Sequence, residues 1–213
     1  VDIAYLGFAG DRARGIAELP LGERMALVDA PYLPFDGMNE MGLVVGMAAV
    51  PGVEMPRDPK RASIDSLGVI REMLDHAADV EESLAVLEQY TIRWGSGPPL
   101  HYLLADRSGR AALVEFNGTE RLIIHNTEPW HAAPNFLLHR AGDDPQGICP
   151  RYDRLHEELA ASGGALDSPA ALALLSGVSQ GNTQWSIVYG ISTGEIHVAV
   201  GRDQTHVHVL QLP

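Results

Sequence analysis

The 213-residue chain has one cysteine, Cys149, few aromatics (6%), and only 15 Lys and Arg against 28 Asp and Glu. A single cysteine excludes an intramolecular disulfide and suits a reducing, cytoplasmic setting. The formal net charge of −13 leaves no basic face for nucleic acid or for an anionic membrane, since both bind clustered Lys and Arg. No apolar run is long enough to span a bilayer, and the start carries no secretory pattern. What is present suits one folded domain over residues 1–213: 46% hydrophobic and 20% charged residues, with no internal repeat and no low-complexity linker.

The rest is organised around DGMNEMGLVVGMAAVP, residues 36–51. Asp36-Gly37 is a turn pair, because Gly takes φ > 0 freely and Asp tolerates it. The apolar run Leu43 to Val50, closed by Pro51-Gly52, has the length of a strand buried on both faces. Gly46, Ala48 and Ala49 carry so little bulk that a substrate or another backbone can approach them closely. Ile3 to Phe8 and Met25 to Val28 read as strands. Ile64, Leu67, Ile70 and Leu74 recur at helical spacing behind Ser63 as N-cap, and Asp79-x-x-Glu82 has the form of a capping box opening a second helix.

Leu100 to Ala105, Ala111 to Phe116 and Arg121 to His125 read as an antiparallel meander, which Trp130 to Leu138 extends. Tyr152, Leu155 and Leu159 mark a helix ending at Gly163-Gly164, and Ser168-Pro169 opens another with Ser as N-cap. Thr183 to Tyr189, Glu195 to Val200 and His206 to Leu210 read as closing strands. Segregated blocks of strands and helix pairs predict an α+β fold.

Four segments in order carry a resemblance: Asp36 to Leu43 (DGMNEMGL); Leu100 to Phe116 (LHYLLADRSGRAALVEF); Ala133-Pro134-Asn135-Phe136; and Pro150-Arg151-Tyr152 with Thr183 to Tyr189 (TQWSIVY). Together they resemble the choloylglycine hydrolase group of N-terminal-nucleophile hydrolases, which includes bile salt hydrolases, penicillin V acylases and isopenicillin N acyltransferase relatives. The resemblance implies an αββα four-layer sandwich and cofactor-free hydrolysis, or acyl transfer, at the linear C–N bond of a small-molecule amide. In such enzymes a cysteine exposed as the mature N-terminus attacks the carbonyl. Its α-amino group, with a pKa of about 7.7–8.0, acts as base.

That cysteine, with the arginine and aspartate that follow it, precedes the Asn-Glu-x-Gly-Leu segment, and none of Asp2, Asp11, Arg12 and Arg14 stands in a matching context. The expectation is an enzyme whose opening strands and nucleophile lie upstream of Val1, so that this chain alone is inactive. An unpaired sheet edge then remains beside the central strand and invites a homo-oligomer.

The resemblance assigns Asn135 a side-chain N–H of the oxyanion hole and places Arg151 near the nucleophile, steadying its thiolate. Ala49 falls at the second oxyanion position, where only its backbone N–H is left to serve. Met47 and Phe136, with Trp130, are expected as apolar walls for a modest acyl group. Each assignment has a plainer competitor: a turn asparagine beside Pro134, a surface arginine in the first turn of a helix, a core strand. A cation at a helix N-terminus is electrostatically disfavoured, so an anionic partner is expected beside Arg151. Cys149 with His156 as a nucleophile pair, and His206-x-His208 as a metal pair, lack a freed amine and a third ligand respectively. No metal or cofactor is therefore expected. A non-catalytic scaffold with the same fold is the competing function.

Overall fold

The structure is a computed structural model that describes residue 6 and residues 16–52, 58–95, 97–118, 120–142 and 144–213. The strand expected over Ile3 to Phe8 lies outside these residues, apart from Leu6. A helical turn, α1 (Leu21–Arg24), runs directly into a 3-10 helix over Met25–Tyr32. A strand was expected at Met25 to Val28. Among the described residues this stretch has no ladder partner, and Pro31 has a φ that suits continued turns.

Two strands, β1 (Gly37–Met38) and β2 (Val44–Ala49), form a tight antiparallel hairpin. Its turn requires glycine at Gly42, where φ is +81° and a Cβ would lie 2.4 Å from the Arg107 side chain. Asn39 holds the hairpin from both ends of its amide. Its oxygen accepts from Met41 N and Leu43 N at 3.1 and 3.0 Å, while its nitrogen donates to Leu74 O and Ala77 O at 3.0 and 2.7 Å.

Residues Ala62–Asp65 form β3 rather than the start of a helix. They pair in parallel with β4 (Tyr90–Arg93), Ile64 beside Ile92, so the apolar spacing that suggested a helix from Ser63 spans two elements. The helix proper, α2 (Gly68–His76), is opened by Asp65, whose carboxylate accepts from Leu67 N and Gly68 N at 3.1 and 2.8 Å. In α3 (Val80–Glu88) the expected capping box is present: Asp79 accepts from Glu82 N at 2.9 Å, and Glu82 reaches back to Ala78 N at 2.8 Å.

The meander forms as expected, with β5 (Leu100–Ala105), β6 (Ala111–Phe116) and β7 (Arg121–His125) extending the first sheet in the order β1-β2-β5-β6-β7. Residues 130–137 do not continue it; Pro129 and Pro134 lack the N–H that a ladder needs. A helical turn, α4 (Leu138–Ala141), follows, then α5 (Pro150–Ser162), which ends on left-handed Gly163. The next helix, α6 (Ser168–Gly177), is capped by Asp167 rather than Ser168, through a 2.8 Å bond from Ala170 N. Finally β8 (Trp185–Tyr189), β9 (Glu195–Val200) and β10 (Val207–Gln211) make a second antiparallel sheet.

Strand alternation sorts the first sheet into two faces. Val45, Tyr102, Leu104, Val114 and Phe116 are buried in one core with Val69, Ile70, Met73, Leu84 and Leu87 of α2 and α3. The opposite face, with Gly46, Ala48, His101, Leu103 and Glu115, looks toward the second sheet and its helices α5 and α6. The architecture is α+β in the expected αββα layering, with no closed barrel among the described residues. β2 is not buried throughout, as its run of apolar residues suggested: Val45 is fully buried, while Gly46 to Ala49 are only partly buried. Among the described residues no helix is long and apolar enough to cross a membrane.

Removing the α3 cap by Asp79→Ala is expected to destabilise the fold by about 1 kcal/mol. Urea unfolding should show a lower midpoint with an unchanged slope.

Candidate active site

Backbone hydrogen-bond parity determines what β2 exposes. Val50 N donates to Pro99 O at 3.0 Å, so even-numbered residues of β2 bond to β5. Asn39 N donates to Leu43 O at 3.0 Å, so odd-numbered residues face β1. Since β1 pairs no further than Val45, the N–H and C=O groups of Met47 and Ala49 point past its end along an edge that no described strand covers.

Asn135 sits on this edge. Its side-chain nitrogen donates to Ala49 O at 3.0 Å, and its oxygen accepts from Arg151 Nη2 at 2.8 Å. A guanidinium can only donate and a carbonyl oxygen can only accept, so the two partners fix which end of the amide is which. One N–H of the Asn135 amide remains without a partner among the described residues, and the residue is solvent-exposed. Arg151 occupies the first turn of α5, where Pro150 opens the helix. The anionic partner expected for it is absent among the described residues: its hydrogen-bond partner is the neutral amide of Asn135. Three of the anticipated residues, Ala49, Asn135 and Arg151, are therefore joined in one hydrogen-bonded chain.

A cavity of about 610 Å³ opens beside that chain. Gly46, Ala48 and Leu103 line it from the first sheet, Trp185 and Ile187 from the second, and Arg151 with Leu155 from α5. Leu174, Leu175 and Val178 close it from α6 and its C-terminal end. Met47 borders the cavity and also packs against the helix-side core. Phe136 does not line it. Its ring packs edge-on against Tyr152 of α5, 5.4 Å between centroids, because Asn135 and Phe136 are successive residues with divergent side chains. Trp130 likewise packs on His156, at 5.0 Å. Tyr152 packs on the same imidazole, and Gln146 Nε2 lies 3.4 Å from its Nδ1. Among the described residues no cluster of His, Cys, Asp or Glu suits a metal ion, His206 being tied at 2.9 Å to Asp203.

Two acidic groups matter here that sequence reasoning passed over or assigned to a turn. Asp36 bridges the sheets: its carboxylate accepts from Trp185 Nε1 at 3.2 Å and from the Tyr189 hydroxyl. Burial, reinforced by the Asp36 charge, pushes the Tyr189 hydroxyl far above its ordinary pKa, so it stays a neutral donor. Glu115, wholly buried on β6, accepts four hydrogen bonds. His101 Nδ1 and Leu138 N meet one oxygen at 3.2 and 2.8 Å; His139 N and Nδ1 meet the other at 3.0 and 2.6 Å. A glutamate in the strand run 111–116 was visible in the sequence as a charge inside an apolar segment, the one available signal.

Comparison with known proteins identifies the family and the fold. The family model for linear amide C–N hydrolases of the choloylglycine hydrolase family matches residues 21–139. Penicillin V acylase from Agrobacterium tumefaciens superposes with a TM-score of 0.65 at 20% identity, over 85% of this chain and 67% of that one. A variant of conjugated bile acid hydrolase from Clostridium perfringens gives 0.63 at 17% identity, over 83% and 72%. A second variant of that enzyme gives 0.61 at 16%, over 84% and 72%. At these identities the structural likeness is one of fold.

The Glu115 carboxyl carries a pH signature. Burial raises its pKa, but the bonds from His101, His139 and Leu138 outweigh that and hold it at about 2. A depressed folded-state pKa means stability that is fully present above the unfolded value near 4.5 and lost as pH falls toward 2. Thermal unfolding between pH 6 and 2 should lose stability on the order of 3 kcal/mol over that window, and a Glu115→Gln variant should lack this part of the slope.

Proposed function

Because the chain belongs to the choloylglycine hydrolase family of linear amide C–N hydrolases, we propose that its site acts on a small linear amide with an apolar acyl group through a cysteine thioester. The observation that carries this reading is the Asn135 amide, fixed at both ends beside an open strand edge and an apolar cavity. Asn135 keeps one N–H to donate, and the Ala49 backbone N–H points along the same edge. An oxyanion between them is held by two neutral donors whose orientation is set before substrate arrives. The Arg151 charge, unpaired by any described carboxylate, adds a positive potential where negative charge develops.

In this reading the nucleophile is a cysteine at a mature N-terminus. Cys149 does not suit the part: its amide nitrogen lies within the chain and the residue precedes the first turn of α5. The reaction therefore requires a cysteine outside these 213 residues. Its thiolate adds to the amide carbonyl carbon while its α-amino group takes the thiol proton. The carbonyl π pair becomes the oxyanion facing Asn135 and Ala49. Collapse re-forms the carbonyl and breaks the C–N bond, and the ammonium returns its proton to the departing amine. Water then cleaves the thioester to give the carboxylic acid and the thiol; a second amine in place of water gives acyl transfer.

The cavity supports this choice of substrate class. Leu103, Leu155, Leu174, Leu175, Val178 and Ile187 offer apolar walls, and about 610 Å³ is within the range for small-molecule sites. An acyl chain buried there gains about 0.8 kcal/mol per methylene, so affinity should rise with chain length until the cavity is filled.

The test is a panel of N-acyl amines and N-acyl amino acids assayed against the natural full-length protein. Amide turnover is expected, with Asn135→Ala lowering kcat by about 10²–10³ and changing KM little. Arg151→Lys should also cost activity, because a flexible ammonium does not reproduce the directed Nη2 bond to the Asn135 oxygen. No turnover of any amide would point to a scaffold without this chemistry, and undiminished kcat in a folded Asn135→Ala variant would remove Asn135 from the oxyanion hole.

A further inference from the structure

We propose that Glu115 is the positioning residue that sets the Asn135 amide against the edge of β2, a role resting on the amide-hydrolase reading of this site. Asn135 lies on an irregular segment between β7 and α4, so no ladder or helix of its own holds it. Three and four residues later, Leu138 N and His139 N are both anchored on the buried Glu115 carboxylate, at 2.8 and 3.0 Å. The other end of the Asn135 bond is Ala49, and its neighbour Ala48 pairs across the sheet with His101. His101 Nδ1 donates to the same carboxylate at 3.2 Å.

The connections therefore close on themselves. From Ala49 the path runs along β2 to Ala48, across to His101, through Glu115 to Leu138, and back along the chain to Asn135, whose amide bonds Ala49. Glu115 joins the two arms at one end of this ring, as the Asn135 amide joins them at the other. Its two oxygens accept four bonds and are saturated, so the carboxylate has one arrangement available to it. Because a carboxylate only accepts, both histidines must carry a proton on Nδ1. The Nε2 atoms of His101 and His139 are buried without a partner among the described residues, so neither ring gains a bond by turning away. A buried acid with its donors complete is costly to displace and imposes its geometry on what it holds.

The role separates from plain stability by what it moves. Glu115→Gln keeps the shape but faces the Leu138 and His139 amides with a group that is half donor. In the natural full-length protein, side-chain amide hydrogen exchange of Asn135, followed by ¹⁵N NMR, is expected to accelerate about tenfold or more as the Ala49 bond loosens. On the amide turned over best, kcat should fall roughly 10- to 100-fold, since small misplacement of a positioned group costs about that much, with KM within about threefold. Leu104→Ala, which removes packing on the helix side of the same sheet, controls for destabilisation and should leave both readings near wild type.

If Glu115→Gln does not fold, Glu115→Asp is read in the same way, because it keeps the charge but withdraws it from the two backbone amides. Unchanged Asn135 exchange in whichever folded variant is measured overturns the proposal, as does an equal response from Leu104→Ala. A wild-type protein without amidase activity whose Asn135 amide still responds to Glu115→Gln supports the coupling and sinks the amide-hydrolase reading alone.

Discussion

The side-chain amide of Asn135 is the point on which the site depends. An asparagine amide is nearly symmetric in shape, and in solution nothing decides which end faces a substrate. Here Arg151 can only donate and the Ala49 carbonyl can only accept, so the amide has one orientation that satisfies both. That orientation turns N–H toward the strand edge. The arrangement requires β1 to stop pairing at Val45, because a longer first strand would consume the backbone groups of Met47 and Ala49. It also requires Gly46 and Ala48, because larger side chains there would fill the cavity.

Among the described residues the two sheets meet through few polar links, which leaves room between them. Asp36 joins the start of the hairpin to Trp185 and Tyr189 of β8, and Arg107 donates to Ile191 O at 3.0 Å and Glu40 O at 3.2 Å. These contacts tie together segments far apart in sequence without filling the space between the layers. The cavity follows from that economy of contact, and α5 and α6 supply its remaining walls.

Much of the architecture was legible in the residues. The meander of β5 to β7 followed from strand-like runs separated by the turn residues Asp106 to Gly109 and Asn117-Gly118; α3 followed from its capping box and α5 from Gly163. Errors arose where one local pattern served two elements. Ile64 belongs to β3 and Ile70 to α2, yet their spacing is helical throughout. Ser168 looked like a cap because it precedes proline, while Asp167, one residue earlier, makes the bond. Met25 to Val28 was apolar enough for a strand but lies in a 3-10 helix without a described partner.

At the site, Asn135, Arg151 and Ala49 were anticipated from the order of short segments, and the structure joins them. Phe136 was placed in the cavity only because it follows Asn135, and its ring packs on Tyr152 instead. Glu115 and Asp36 were visible as residues but not as connections. Their partners lie on His101, Leu138 and His139, and on Trp185 and Tyr189, and no local spacing encodes pairings over such distances.

The central claim is that the Asn135 amide and the Ala49 backbone N–H receive the oxyanion beside an apolar acyl cavity. A crystal structure of the natural full-length protein with a slow substrate trapped as its acyl-enzyme tests it most directly. The account predicts the acyl oxygen about 2.7–3.1 Å from both donors, with the chain running between Leu103 and Ile187. An acyl group bound elsewhere, or an oxygen turned away from Asn135 with the amide still clamped by Arg151, would contradict it.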